Sequence, residues 1–219
     1  MAHSPGTGHW ASAEPVTRSF DVLRATQARL AVAVANTTPR LGATTRLSTT
    51  GGSGTGAVTY RVVTGGRSCS VSGNQLTTTG MGVCTVSATK AADTRYGAST
   101  ATSSTITVIK GRPTVTVDAG VAMHVGARRT VTVTVTGLVP GHTPGTVRLH
   151  LTGSSKGATL LTTEGRLTLA ADGRSGTLTF AVRAGQRGTM TITADIDATR
   201  SYVSVTGGVA VKVRTATAR

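Results

Sequence analysis

Thr130-Val131-Thr132-Val133-Thr134-Val135-Thr136 alternates hydroxyl and apolar side chains without a break. Successive side chains of a β-strand point to opposite faces, so this stretch predicts a strand with three valines turned inward. The same alternation recurs at Leu30, Val32 and Val34, at Val58, Tyr60 and Val62, and at Ile106 and Val108. Further along it returns at Val115 and Val117, at Val147, Leu149 and Leu151, at Leu167 and Leu169, and at Leu178, Phe180 and Val182. Turn clusters separate these runs: Thr50 to Gly56, Gly65-Gly66, Gly73-Asn74, Gly137 to Gly145, Gly153 to Gly157 and Asp172-Gly173. Short alternating strands divided by glycine-rich turns predict an all-β chain of antiparallel sandwiches, each sheet keeping one wet face. Ala25 to Leu30 reads as a link between units rather than a helix.

The chain also matches itself. An offset of 86 residues brings Trp10 onto Tyr96, Phe20 onto Ile106, Val22 onto Val108 and Arg24 onto Lys110. An offset of 106 brings Gly82 onto Gly188, Cys84 onto Met190, Val86 onto Ile192, Ala88 onto Ala194 and Tyr96 onto Tyr202. These periods exceed the roughly 20–50 residues of a solenoid repeat and suit a small β-domain of about 100 residues. The expected organisation is therefore residues 26–110 as one sandwich and 111–219 as a second. The second is longer in its middle, enough for an extra hairpin around Asp172-Gly173. Residues 1–25 read as the remnant of a preceding copy, its last strand around Phe20 and Val22 and its ring at Trp10. A last strand without its sheet has no core, so residues 1–18 are expected to be disordered or loosely docked. On this reading the chain is the end of a longer array, or its start is assigned too far downstream.

Composition narrows the function classes. Aromatics make up 3% of the 219 residues, so the core must come from Val, Leu, Ile and Ala. The net charge is +15, spread over both expected sandwiches. Residues 25–110 carry six Arg and two Lys against Asp93, and 111–219 carry eleven Arg and two Lys against five acids. So basic a chain attracts polyanions such as nucleic acid, anionic cell-wall polymer or acidic glycan. With no basic run of five or more, an Arg-biased surface that serves solubility stands beside that reading. No run of about 18 apolar residues occurs, so no membrane insertion is expected. Residues 1–30 lack the charged start and apolar middle of a secretory signal, and no anchor motif follows Arg214.

Gly51-Gly52-Ser53-Gly54-Thr55-Gly56-Ala57-Val58-Thr59-Tyr60 precedes Cys69-Ser70-Val71-Ser72-Gly73-Asn74-Gln75-Leu76. Then come Gly82-Val83-Cys84-Thr85-Val86-Ser87-Ala88-Thr89-Lys90-Ala91-Ala92-Asp93 and Tyr96. These stretches resemble the bacterial immunoglobulin-like repeats found in tandem in secreted and surface proteins, especially of high-GC actinobacteria. The resemblance is close over 26–110, covers 1–24 by its tail, and is weaker over 111–214, which lacks both cysteines and the Gly-Gly-Ser-Gly loop. It implies two tandem immunoglobulin-like sandwiches preceded by the final strand of a truncated third. It further implies a spacer or adhesive role, neighbouring repeats as partners, and no catalytic residue.

Candidate sites are few. Cys69 and Cys84 are the only cysteines; paired, they close a loop worth about 3 kcal/mol and imply an oxidising, extracellular compartment. A free reactive thiol stays open, whereas zinc lacks further soft ligands at the right spacing. Met190 at the position of Cys84 places that slot in the core. The Gly51–Gly56 loop leads into an alternating strand, not a helix, so it joins strands and does not cradle phosphate. His124 and His150 fall on polar strand faces and His142 in a Pro/Gly loop, so all three are expected at the surface, with no carboxylate placed to orient a ring. Asp195 and Asp197 make a weak calcium trap and fit two neighbours on one strand face. No acid pair or Ser/His/Asp set supports hydrolysis. Tyr96, Tyr202 and Trp10 recur at one position, as structural anchors do, and Tyr60 lies among apolar neighbours. No cofactor and no specific nucleic acid are expected. The reading is a non-catalytic stalk or adhesive spacer of an exported bacterial protein, with polyanion binding or an accessory region of a secreted hydrolase as alternatives.

Overall fold

The computed structural model describes residues 14–153 and 156–215. Between Leu30 and Val108 eight strands form: β1 (Leu30–Val34), β2 (Thr44–Gly51), β3 (Val58–Thr64), β4 (Cys69–Ser72), β5 (Gln75–Thr78), β6 (Gly82–Lys90), β7 (Ser99–Thr102) and β8 (Ile106–Val108). They build two antiparallel sheets, one in the order β1-β2-β5-β4, the other β3-β6-β7 with β8 also on β6. Leu47, Leu76, Cys84, Val86 and Ile106 fill the space between them. β7 and β8 are two halves of one edge strand. The break is Ser103, whose hydroxyl accepts from the Val86 N–H at 3.0 Å in place of a ladder carbonyl.

The second sandwich has ten strands: β9 (Thr114–Asp118), β10 (Ala122–His124), β11 (Arg128–Thr136), β12 (Val147–Gly153), β13 (Thr159–Leu160), β14 (Glu164–Gly165), β15 (Thr168–Leu169), β16 (Ser175–Arg183), β17 (Gly188–Ile196) and β18 (Val205–Arg214). One sheet runs β13-β16-β11-β9 with β15 also on β16; the other runs β10-β18-β17-β12-β14. Val131, Val133 and Val135 of β11 are fully buried, each side chain worth about 1.5–3 kcal/mol of transfer free energy. They meet Met190, Ile192 and Val211 of the facing sheet in one connected core. β15 and β16 form a hairpin around Asp172-Gly173, with Leu169 opposite Gly176.

Strand order and pairing make both units immunoglobulin-like. In the second, β10 leaves the first-strand side and pairs parallel with the last strand, Met123 opposite Val213. In the first, the same parallel approach is a single bridge from Arg40 to Ile109. The correspondence extends to single bonds: Gly42 N donates to Thr78 O and Gly126 N to Ala184 O, at 3.1 and 3.0 Å.

Ahead of β1, Phe20, Val22 and Leu23 are about 85% exposed. Among the described residues the strand expected there belongs to no sheet. Trp10 lies outside the described residues, as does most of the segment expected to be loosely docked.

Candidate functional site

Each sandwich is entered through the same turn. Ala25 N donates to Arg95 O at 2.8 Å and Ala25 O accepts from Gly97 N at 2.9 Å. Gly111 repeats this with Ser201 O and Val203 N, at 2.9 and 3.0 Å. The turn that carries each tyrosine is tied by one side chain. Asp93 Oδ1 accepts from the N–H groups of Arg95 and Tyr96, and Thr199 Oγ1 accepts from those of Ser201 and Tyr202. Asp and Thr are interchangeable here because each has a short side chain whose oxygen reaches the backbone N–H groups two and three residues on.

Asp93 does more than Thr199. Its Oδ2 accepts from Thr55 N at 2.7 Å and so fastens the Gly51–Gly56 loop to the entry turn. Gly54 has φ of +74°, and a Cβ there would meet Asp93 Oδ2. Glycine is needed on both counts. The N–H of Thr55, then those of Arg95 and Tyr96, hold the Asp93 carboxyl below its ordinary value. The N–H of Thr55 in this loop thus faces a carboxylate of its own chain.

The opposite end of the first sandwich meets the entry end of the second. Tyr202 is fully buried, and its hydroxyl accepts from Val139 N at 2.8 Å. Burial raises the phenol above its ordinary value, with the Val139 N–H pulling the other way. The Gly137–Gly145 loop folds over this ring and reaches the first sandwich. His142 Nε2 lies 3.0 Å from Thr79 O, and Nδ1 lies 2.8 Å from Ser201 Oγ. A carbonyl only accepts, so Nε2 carries the proton and, in the neutral ring, Nδ1 accepts from the serine hydroxyl. A Cβ on Gly42 would fall 2.7 Å from Val139 Cγ2. Arg40 Nη1 donates to Lys110 O at 3.0 Å. His142, expected at the surface, is therefore a half-buried bridge between sandwiches. Sequence reasoning missed it because a Pro/Gly loop hides its tertiary partners. The available signal was the apolar pair Leu138-Val139 inside a turn cluster.

Cys69 of β4 and Cys84 of β6 are joined by a disulfide, with Cα atoms 6.3 Å apart, within the usual bridging range. It links an edge strand of one sheet to a central strand of the other. In the second sandwich Met190 occupies the position of Cys84 and is fully buried.

The other candidates stay apart. His124 and His150 are exposed on strand faces. One expectation needs correction: a carboxylate does face His150, whose Nε2 lies 3.2 Å from Asp195 Oδ2. The neighbour arises because β12 lies beside β17 in the sheet, with Arg148 opposite Asp195, a register invisible in sequence. Arg148 pairs with Glu164 and Asp197 at 3.3 and 3.0 Å. Arg148 and His150 thus face the acids weighed for calcium. Such exposed pairs contribute about 0–1 kcal/mol. Among the described residues no group of three or more His, Cys, Asp or Glu is placed to hold a metal ion, and no helix is long and apolar enough to cross a membrane. Tyr60 packs against the core.

No protein-family model matches the chain, and no curated protein matches it. Solved structures resemble it distantly. E. coli alpha-2-macroglobulin in its native conformation is 20% identical with TM-score 0.38; the match covers 62% of this chain and 8% of that one. The fibronectin(III)-like modules of Clostridium thermocellum CbhA are 15% identical with TM-score 0.33, covering 84% of this chain and 94% of theirs. The cohesin module of a Clostridium perfringens family 33 glycoside hydrolase is 10% identical with TM-score 0.26, covering 48% and 98%. The sandwich fold itself is defined by strand order and register.

Proposed function

We propose that this chain is a non-catalytic spacer, a stalk or adhesive segment of an exported bacterial protein built from immunoglobulin-like repeats. Its units are residues 26–110 and 111–219, preceded by the remnant 1–25, with neighbouring repeats as structural partners. The observation that carries this reading is the joint. The entry turn of the second sandwich is fixed to the far end of the first through Gly111, Tyr202, Val139 and His142, so the two lie end to end. Interfaces of this kind within a chain usually permit relative motion; here hydrogen bonds and a buried tyrosine oppose it. A cross-linked first sandwich suits an oxidising extracellular setting, where proteolysis is a constant load.

Small-angle X-ray scattering of the full chain tests the reading. A spacer gives a longest dimension near twice that of one sandwich and a profile fitted by one rigid shape. His142→Ala then broadens the distance distribution while circular dichroism stays unchanged. A wild-type profile that requires two freely tumbling bodies defeats the proposal.

A further inference from the structure

The two sandwiches differ at one equivalent place in a way that folding does not demand. In the first, Thr44 of β2 stands opposite Thr77 of β5, and their hydroxyls lie 3.4 Å apart. The equivalent strands of the second are β11 and β16, and the equivalent pair is Arg128 opposite Arg183. Equivalence follows from the flanking bonds: Thr78 N donates to Ala43 O, and Ala184 N to Ala127 O. A cross-strand Thr–Thr pair is favourable, and like charges directly opposite are unfavourable. The fold has a working neutral solution at this position, yet the second sandwich carries two guanidinium groups.

Their surroundings sharpen the point. Both lie at the end of the second sandwich remote from the joint. In the first sandwich the equivalent end is covered: Leu41 is buried there, whereas its counterpart Val125 is 43% exposed. A shallow depression of about 520 Å³ opens at this place, lined by Lys156, Arg183, Gln186 and the backbone of Gly126, Gly157 and Gly185. Arg183 Nε donates to Gly126 O at 3.3 Å, which fixes the guanidinium at its rim. Arg187, Lys212 and Arg214 stand exposed at the same end. Among the described residues none of these cations makes an ion pair. The acids Glu164, Asp172, Asp195 and Asp197 lie toward the joint; Asp118 stands opposite Thr132, four residues along β11 from Arg128, with its Oδ1 accepting from the N–H of Gly120.

We propose that this open end binds a tetrahedral oxyanion, phosphate or sulfate, carried on a flexible polymer, with Arg128, Arg183 and Lys156 as its ligands. Arginine forks match the paired oxygens of such a group, and a fixed guanidinium loses little freedom on binding. Among the described residues no Phe, Tyr or Trp stands among these cations to stack on a base, and no helix or ribbon projects to enter a groove, which disfavours nucleic acid. The inference rests on the sandwich register and is independent of the spacer reading.

The test uses the full chain with three probes: inorganic polyphosphate, dextran sulfate and duplex DNA, by fluorescence anisotropy at about 0.1 M salt, where unpaired surface attraction is strongly screened. The polyphosphate and dextran sulfate arms tell phosphate from sulfate as the preferred group. Arg128→Thr with Arg183→Thr, which restores the pair used by the first sandwich, is expected to weaken the better probe roughly tenfold or more. Arg46→Thr with Arg61→Thr removes the same charge from the first sandwich and is expected to change it less than about threefold. The melting temperature of the Arg128/Arg183 variant is expected to equal or exceed that of the parent. Equal weakening by the two double variants, no binding by the parent, tighter binding of DNA than of polyphosphate at equal charge, or a lowered melting temperature would each overturn the proposal. The scattering profile of the variant stays that of the parent, so failure here leaves the spacer reading standing.

Discussion

Asp93 is the residue on which the entry end of the first sandwich turns. One carboxylate satisfies three backbone donors from two segments, the turn before Tyr96 and the glycine loop. Hydrogen bonds to the charged form favour it, so the folded carboxyl titrates below its ordinary value of 3.8. The stabilisation is fully present above the unfolded value and is lost as pH falls through the lower folded one. Melting temperature followed from pH 6 to about pH 2 is therefore expected to drop in that acid window, and Asp93→Asn to flatten the drop. Parallel curves for parent and variant would show that Asp93 contributes no pH dependence. The sequence displayed Asp93 as one acid in a basic unit, and nothing in its spacing told of Thr55. A carboxylate that binds backbone has no side-chain partner to give it away.

At the scale of elements, periodicity was informative wherever a strand buries alternate side chains. Val131, Val133 and Val135 announce β11, and Leu178, Phe180 and Val182 announce β16. β7 escaped notice because Ser99-Thr100-Ala101-Thr102 has no apolar alternation; it is an edge strand held by backbone pairing with β6. The Arg128–Arg183 pairing escaped for another reason: register between strands some fifty residues apart is set by packing, which composition does not encode. The disulfide sits at this scale too, since it ties β4 to β6 across the core. Its loss should cost the first sandwich about 3 kcal/mol for a loop of this length, read as a lower urea midpoint after Cys69→Ala with Cys84→Ala. Cys69→Ala with Cys84→Met, which borrows the methionine of the second sandwich, is expected to recover part of that loss. If the Met variant is no better than the Ala variant, the two slots are not packing equivalents.

For the whole molecule the dominant number is the net charge of +15. Among the described residues Arg148 pairs with Glu164 and Asp197, and His150 faces Asp195, all around β12, so most cations repel one another through solvent. Salt screens such repulsion within about 10 Å at 0.1 M. Melting temperature is expected to rise between about 10 and 500 mM sodium chloride, and a fall would mean that favourable pairs outweigh the repulsion. The path of the backbone between the sandwiches bears on a different property. Ile109 N donates to Pro39 O, Ile109 O accepts from Leu41 N, Lys110 O accepts from Arg40, and both polar groups of Gly111 are engaged. Three consecutive residues thus leave no peptide free to act as a swivel. Rotation about the long axis is set by bonded geometry, so each copy added by the same connection would be turned through the same angle. A string of them would wind as a stiff rod of constant pitch, and one residue inserted after Ile109 would throw every later copy out of phase.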